Sequence, residues 1–185
     1  MKKIVFFIVF FTLFFSTDIF AQDLLEFDWQ SDESGGVIIT GYFGESKDVI
    51  IPSKIDNMPV TAIGDEAFYH NELTSVIISK SVITIGEAAF FANQMSNIVI
   101  PNSITYISDG AFENNNLSSV NFPNSVNSIG SWAFYNNPLT SITIGSNVRL
   151  RYPYSKDVFG NNSKFNEIYN GIEGTYTRPN TDSTL

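Results

Sequence analysis

A chain of 185 residues with 10 Lys and Arg against 19 Asp and Glu has a formal charge of −9. That excess repels phosphate backbones and anionic membrane surfaces, so nucleic acid is not expected as a partner. There is no cysteine and a single histidine, His70, which excludes disulfides, thiolate nucleophiles and metal sites built on Cys or His clusters.

The first 21 residues have the layout of a secretory signal peptide. Lys2 and Lys3 give a basic start, Ile4 to Phe15 is almost wholly apolar, and Ser16 to Ala21 ends in a small residue, which predicts cleavage before Gln22. The rival reading, a membrane anchor, needs roughly 20 apolar residues, and this run is shorter and broken by Asp18. No integral span is therefore expected after cleavage, and the mature charge becomes −9 − 2 + 1 = −10.

Residues 22–47 read as an N-terminal cap. Phe27-Asp-Trp29 and Val37-Ile-Ile-Thr40 are strand-like, and Ser31 to Gly36 between them is rich in turn formers, including the solvated pair Asp32-Glu33, so a β-hairpin is predicted. The alternative for Trp29 and Tyr42 is an aromatic ligand platform. Asp48 to Phe68 is a first, irregular coil, with five extra residues around Lys54 to Pro59. That insertion at 52–62 is a second place where binding could reside.

From here one phrase recurs: IGDEAF at Ile63–Phe68, IGEAAF at Ile85–Phe90, ISDGAF at Ile107–Phe112 and IGSWAF at Ile129–Phe134, with its Phe every 22 residues. A fixed period of this size marks a solenoid, here spanning 48–170. Each coil opens on a strand-like run, Leu73–Ile78, Met95–Ile100, Leu117–Phe122 and Leu139–Ile144. Alternation sends Val76, Ile78 and their equivalents inward and Ile77, Val99, Asn121 and Thr143 outward. Neighbouring coils should then form a parallel sheet with strands about 4.8 Å apart. Pro101-Asn-Ser103 and Pro123-Asn-Ser125 turn the chain, and Val82–Ile85, Ile104–Ile107 and Val126–Ile129 predict a second, narrower parallel sheet.

Within the phrase, Gly64, Gly86 and Gly130 suit a sharp turn. Asp65, Glu87, Asp109 and Ser131 are placed to cap short helical turns, the alternative being a cation site. Ala67, Ala89, Ala111 and Ala133 allow close approach of coils. Phe68, Phe90, Phe112, Phe134 and Phe159 are expected to stack in the core. Three residues on, Asn71, Asn93, Asn115, Asn137 and Asn162 are expected as a ladder that satisfies backbone groups inside the coil and bonds its own members. Val148 to Asn170 reads as a degraded last coil, and 171–185 as a capping strand with a polar tail.

The run L-T-S-[VI]-x-I-P-x-S-V-x-x-I-G-x-x-A-F-x-x-N resembles the BspA-like, or Treponema pallidum type, class of bacterial leucine-rich repeats, over about Asp48 to Tyr169. The resemblance implies a right-handed solenoid with a parallel sheet on one side and short strands or helical turns on the other. It also implies secreted or surface proteins, some of them adhesive towards host matrix or other bacteria, and it brings no catalytic residues. The expected fold class is accordingly an α/β, β-rich leucine-rich-repeat solenoid, right-handed, with short parallel strands, short helical turns and period 22. The chain is short for that family and shows no evident wall-sorting signal.

No catalytic constellation is legible. His70 is a lone loop residue, and no cofactor is implied. The expected function is a non-catalytic, exported module of the cell surface, periplasm or medium that binds protein or glycan on a host or bacterial surface. The face assigned to this is Ser75, Ile77, Asn97, Val99, Ser119, Asn121, Ser141 and Thr143. The alternative is a structural component of the envelope without a host ligand.

Overall fold

The computed structural model of the chain describes residues 24–150, 158–159 and 174–177. The leader, Asn162 and most of the last coil lie outside these residues. Strands β1 (Phe27–Ser31) and β2 (Val37–Tyr42) pair antiparallel. Their loop is tied by one side chain. Asp32 Oδ1 accepts from Ser34 N, Ser34 Oγ and Gly36 N at 2.7–2.8 Å, and Oδ2 accepts from Thr61 Oγ1 at 2.8 Å. These bonds, with the Ser34 hydroxyl contributing most, hold the Asp32 carboxyl down at about 2. Asp32 is thus a knot joining cap to solenoid, not a merely solvated acid.

Beyond β3 (Asp48–Ile50), the extra residues of the first coil form a small hairpin of β4 (Lys54–Ile55) on β5 (Met58–Ile63). Asp56 and Asn57 both have positive φ, 50° and 65°, the signature of a two-residue type I′ turn.

β5 opens a run of parallel pairings. It is followed in the same sheet by β7 (Thr84–Ile85), β8 (Tyr106–Ile107), β10 (Ser128–Ile129) and β12 (Arg149–Leu150), and β1 and β2 extend the sheet at its N-terminal end. Coils in register place Ile63, Ile85, Ile107 and Ile129 in one buried column. The other strand side is less regular than the sequence suggests. There β3 pairs with β6 (Ser75–Ile77), and β9 (Ser119–Phe122) with β11 (Ser141–Ile144), on which β13 (Gly174–Thr177) lies antiparallel. Residues 97–100 join neither sheet. The expected single wide sheet is therefore two, and the nominally narrow sheet is the continuous one. Apolar alternation fixes which side chains are buried, here Ile98 and Ile100. It does not bring two backbones within hydrogen-bond reach.

The short helical turns do not form. Among the described residues the one helical piece is a 3-10 turn at Leu24–Glu26, outside the repeats. The fold is a right-handed, β-rich solenoid without the α component. The physical reason lies in where the N–H groups go. After Gly64 the chain makes a tight turn, Ala67 N to Gly64 O, with Glu66 at φ 56°, and a second, Tyr69 N to Glu66 O, followed by His70 at φ 55°. Left-handed residues at this spacing prevent a helical run. The alternate N–H groups of Glu66, Phe68 and His70 instead donate to Glu87, Ala89 and Phe91 of the next coil at 2.8–2.9 Å. The same pattern recurs one coil on, with Ala88, Phe90 and Ala92 donating to Asp109, Ala111 and Glu113. Inter-coil bonding displaces the i to i−4 bonds a helix would need.

The acidic column is recast accordingly. Asp65 Oδ1 accepts from Glu87 N at 2.7 Å and Asp109 Oδ1 from Ser131 N at 2.9 Å, each 22 residues away. The carboxylates cap the next coil rather than a helix of their own. The phrase glycines also have another reason than sharp turning. A Cβ on Gly86 would stand 2.6 Å from Asp65 N, and one on Gly130 would collide with Asp109 N. Closeness of the neighbouring backbone excludes the side chain there.

Inside, Phe68, Phe90, Phe112 and Phe134 stack with centroids 5.0, 5.2 and 5.1 Å apart and planes within 18°. Near-parallel stacking is not the preferred geometry of an isolated aromatic pair; it follows from the coil repeat. Tyr42 and Phe27 continue the stack into the hairpin, and Phe159 with Phe122 closes it at the other end. Asn93, Asn115 and Asn137 are buried beside it. Asn115 Oδ1 accepts from Met95 N at 3.2 Å, and its Nδ2 donates to Phe90 O and Phe112 O at 2.9 and 3.1 Å. Asn93 and Asn137 repeat this arrangement with their own coils. Asn71, nearer the cap, donates to Tyr42 O.

Candidate binding face

The interrupted strand side carries the residues read from the sequence as a binding face. Ser75, Ile77, Asn97, Val99, Ser119 and Asn121 are exposed, and Ser141 and Thr143 half-buried. Alternation accounts for this, since their neighbours Val76, Ile98, Val120 and Ile142 are in the core. Ile77 and Val99 are 60% and 71% exposed, and Ile50 extends the same column towards the cap at 40%. The outward column is thus apolar at Ile50, Ile77 and Val99 and polar at Asn121 and Thr143.

A hollow of about 350 Å³ opens on this face. Asn97, Val99, Ser119, Asn121, Ser141 and Thr143 line it, with Ile98, Ile100 and Val120 beneath. Ser75 and Ile77 lie on the same face outside the hollow. The hollow coincides with the break in the sheets. No backbone hydrogen bond joins residues 97–100 to β6 or β9, whereas β9 and β11 are laddered from Ser119–Ser141 to Phe122–Ile144. The amide and carbonyl groups of this segment are consequently left to solvent or to a ligand. Sequence reasoning missed this feature and Ile50. The only signal available was the column of outward residues, which says nothing of ladder breaks.

The site holds no Asp, Glu, Lys, Arg or His among its lining residues, so its contacts are hydrogen bonds and apolar packing. Nothing there can serve as a general acid or base near neutral pH. Among the described residues no group of three or more His, Asp or Glu could hold a metal ion, and no helix is long and apolar enough to cross a membrane. His70 stands exposed beside Tyr69, 6.1 Å between ring centroids, and among the described residues no carboxylate pairs with its imidazole. The 52–62 insertion is the type I′ hairpin, away from the hollow.

Stacked 22-residue coils with an aromatic core, an asparagine file and a neutral outer strip define a leucine-rich-repeat module. Residues 45–171 match six copies of the BspA type leucine rich repeat region, and the chain belongs to that family. Among solved structures, it is similar to a T. pallidum leucine rich repeat protein, with 29% identity and a TM-score of 0.66 over 70% of this chain and 63% of the other. The chain thus spans somewhat under two thirds of that protein's length. A leucine-rich repeat protein from Bacteroides capillosus is 26% identical, with a TM-score of 0.55 over 68% of this chain and 94% of the other. The pneumococcal vaccine antigen PcpA shares the fold at 22% identity, with a TM-score of 0.53 over 68% of this chain and 37% of the other. Comparison with curated proteins finds no match.

Proposed function

We propose that the protein is an exported binding module that engages a protein or glycan of a host or bacterial surface through the face formed by Ser75, Ile77, Asn97, Val99, Ser119, Asn121, Ser141 and Thr143. The observation that carries this reading is the hollow of about 350 Å³ lined by six of those eight residues. Small hydroxyl and amide side chains there offer donors and acceptors, Val99 offers exposed apolar area, and the backbone of 97–100 is free to bond. Membership of a repeat family with exported, adhesive members supports the location and the class of partner. Because the face is uncharged, binding through it should change little with ionic strength.

The test is capture of immobilised matrix proteins, glycans and whole cells by the purified protein and by an Asn121→Lys/Thr143→Lys variant. Loss of capture in the variant, with capture by the parent held at 0.5 M salt, where the Debye length is about 4 Å against about 30 Å at 0.01 M, is the expected result. Equal capture by both removes this face and leaves the envelope-component reading.

A further inference from the structure

Each coil of the solenoid presents three sides, and their charges differ sharply. The binding face (48–51, 75–78, 97–100, 119–122 and 141–144) contains one charged residue, Asp48, and the long-sheet side (58–63, 82–85, 104–107 and 126–129) contains none. The third side is made by the tight turns 64–72, 86–93, 108–115 and 130–137. It carries Asp65, Glu66, Glu72, Glu87, Asp109 and Glu113 and no Lys or Arg. Among the described residues the one ion pair, Lys47–Glu72 at 3.5 Å, sits at its N-terminal margin.

The same side exposes aromatic rings that the core does not need. Trp132 is 51% and Tyr69 46% exposed. Tyr69 stacks on the half-buried Phe91, 5.0 Å between centroids and planes within 2°; the same column holds Glu113 and then Tyr135, three coils from Tyr69. Trp132 is the more telling residue. It occupies a column otherwise held by Glu66, Ala88 and Gly110, all at positive φ, and it has φ 56° itself. For a bulky side chain this backbone is unfavourable, so packing of the fold does not account for a tryptophan there. Its neighbour in the column, Gly110, leaves space. A Cβ on Gly110 would meet only Glu113 Oε2, at 3.4 Å, and Ala88 N, at 4.0 Å. The Glu113 carboxylate therefore lies over Gly110, one coil below the indole. Burial raises its pKa, and among the described residues no cation pairs with it.

We propose that this third side is a second docking surface, and that its partner is an extended, arginine-bearing segment of a basic protein, with guanidinium groups stacked on Trp132 and the Tyr69–Phe91 pair and bonded to Glu113 and its acidic neighbours. The charge complement decides the occupant. An exposed indole in the coil next to that of the Glu113 carboxylate, on a side without Lys or Arg in turns 64–137, matches a guanidinium, which is planar, weakly hydrated and able to bond a carboxylate through two parallel N–H groups. Four coils repeat at about 4.8 Å, which suits an extended peptide carrying several basic side chains better than one small cation. This surface is separate from the neutral binding face, and its salt dependence should be opposite in character: strong, where the other is weak.

The experiment uses the full protein and a fluorescein-labelled peptide of alternating Arg and Gly, with a Gln-for-Arg analogue as control, followed by anisotropy. The parent should bind the Arg peptide, lose affinity steeply between low salt and 0.5 M salt, and ignore the Gln analogue. Trp132→Ala should weaken binding by about two- to fivefold and Glu113→Gln should weaken it measurably, while Val99→Ser on the other face leaves it unchanged. Circular dichroism checks that each variant is folded. The Trp132 indole N–H resonance, followed by NMR, should shift on adding the Arg peptide to the parent, which reports the site without any substitution. The proposal is overturned if the Gln analogue binds equally, if Trp132→Ala and Glu113→Gln both bind as the parent does, or if the indole resonance moves with oligosaccharides and not with the Arg peptide.

Discussion

Replacing Asn115 tests the inner file of the solenoid. Its Oδ1 takes the N–H of Met95, and its Nδ2 is shared between Phe90 O and Phe112 O, with a longer contact to Glu113 O at 3.4 Å. The two Phe carbonyls have second partners, Asn93 Nδ2 on Phe90 and Asn137 Nδ2 on Phe112. Asn115→Ala therefore strands one buried donor, the Met95 N–H, at about 1–3 kcal/mol, and weakens two carbonyl interactions by roughly 0.5–1.5 kcal/mol each at most. With the carbonyls still singly bonded, the total should be about 2–4 kcal/mol, read from urea unfolding followed by circular dichroism. Hydrogen exchange at the Met95 amide should accelerate locally. Asn115→Asp sharpens the test. It keeps the acceptor for Met95 but points a carboxylate at carbonyl oxygens, so its folded-state pKa should lie above the usual carboxylate value. A raised folded pKa makes this variant's relative stability greatest below the unfolded pKa, about 4, and progressively lower as pH rises through the folded pKa. A loss under about 0.5 kcal/mol in Asn115→Ala, with the Met95 amide still protected, would refute the reasoning.

Three further outcomes follow from the same geometry. Phe112→Ala removes the centre of a stack whose rings are fully buried and should cost about 3–5 kcal/mol in denaturant unfolding; a melting temperature within a degree or two of the parent would contradict the packing. Asp32 has a folded pKa lowered to about 2, so its contribution is full above the unfolded value near 4 and is lost as pH falls towards 2; Asp32→Asn should flatten that part of the stability–pH curve. Asn57→Gly makes Asp-Gly at a type I′ turn with both φ positive and should raise stability by several tenths of a kcal/mol, whereas Asn57→Val should lower it.

Much of the fold was legible because a repeated sequence states each rule several times. Buried Ile, Phe and Ala columns and outward Ile77, Val99, Asn121 and Thr143 follow from period and alternation. Helical turns were expected because Asp65, Glu87 and Asp109 have the chemistry of caps. Asp65 and Asp109 do cap, but across coils, and capping chemistry alone does not say whose N–H it serves. Nor do Glu66, Ala88 and Trp132 announce positive φ, since none is a residue that favours it. The face could be named residue by residue, while the hollow at 97–100 could not, because it arises from a separation between backbones.

The sequence by itself determined that this chain is a 22-residue repeat, which residues enter its core, and that its outer strip is neutral. Those are properties of pattern and side-chain chemistry, present before any contact is made. Tertiary structure alone decided that the turns bond the next coil instead of closing a helix, that the strand side opens at 97–100, and that a carboxylate lies over Gly110 while Trp132 stands exposed one coil on. Each depends on how far one coil lies from the next, a distance set jointly by the phenylalanine stack, the asparagine file and the continuous sheet.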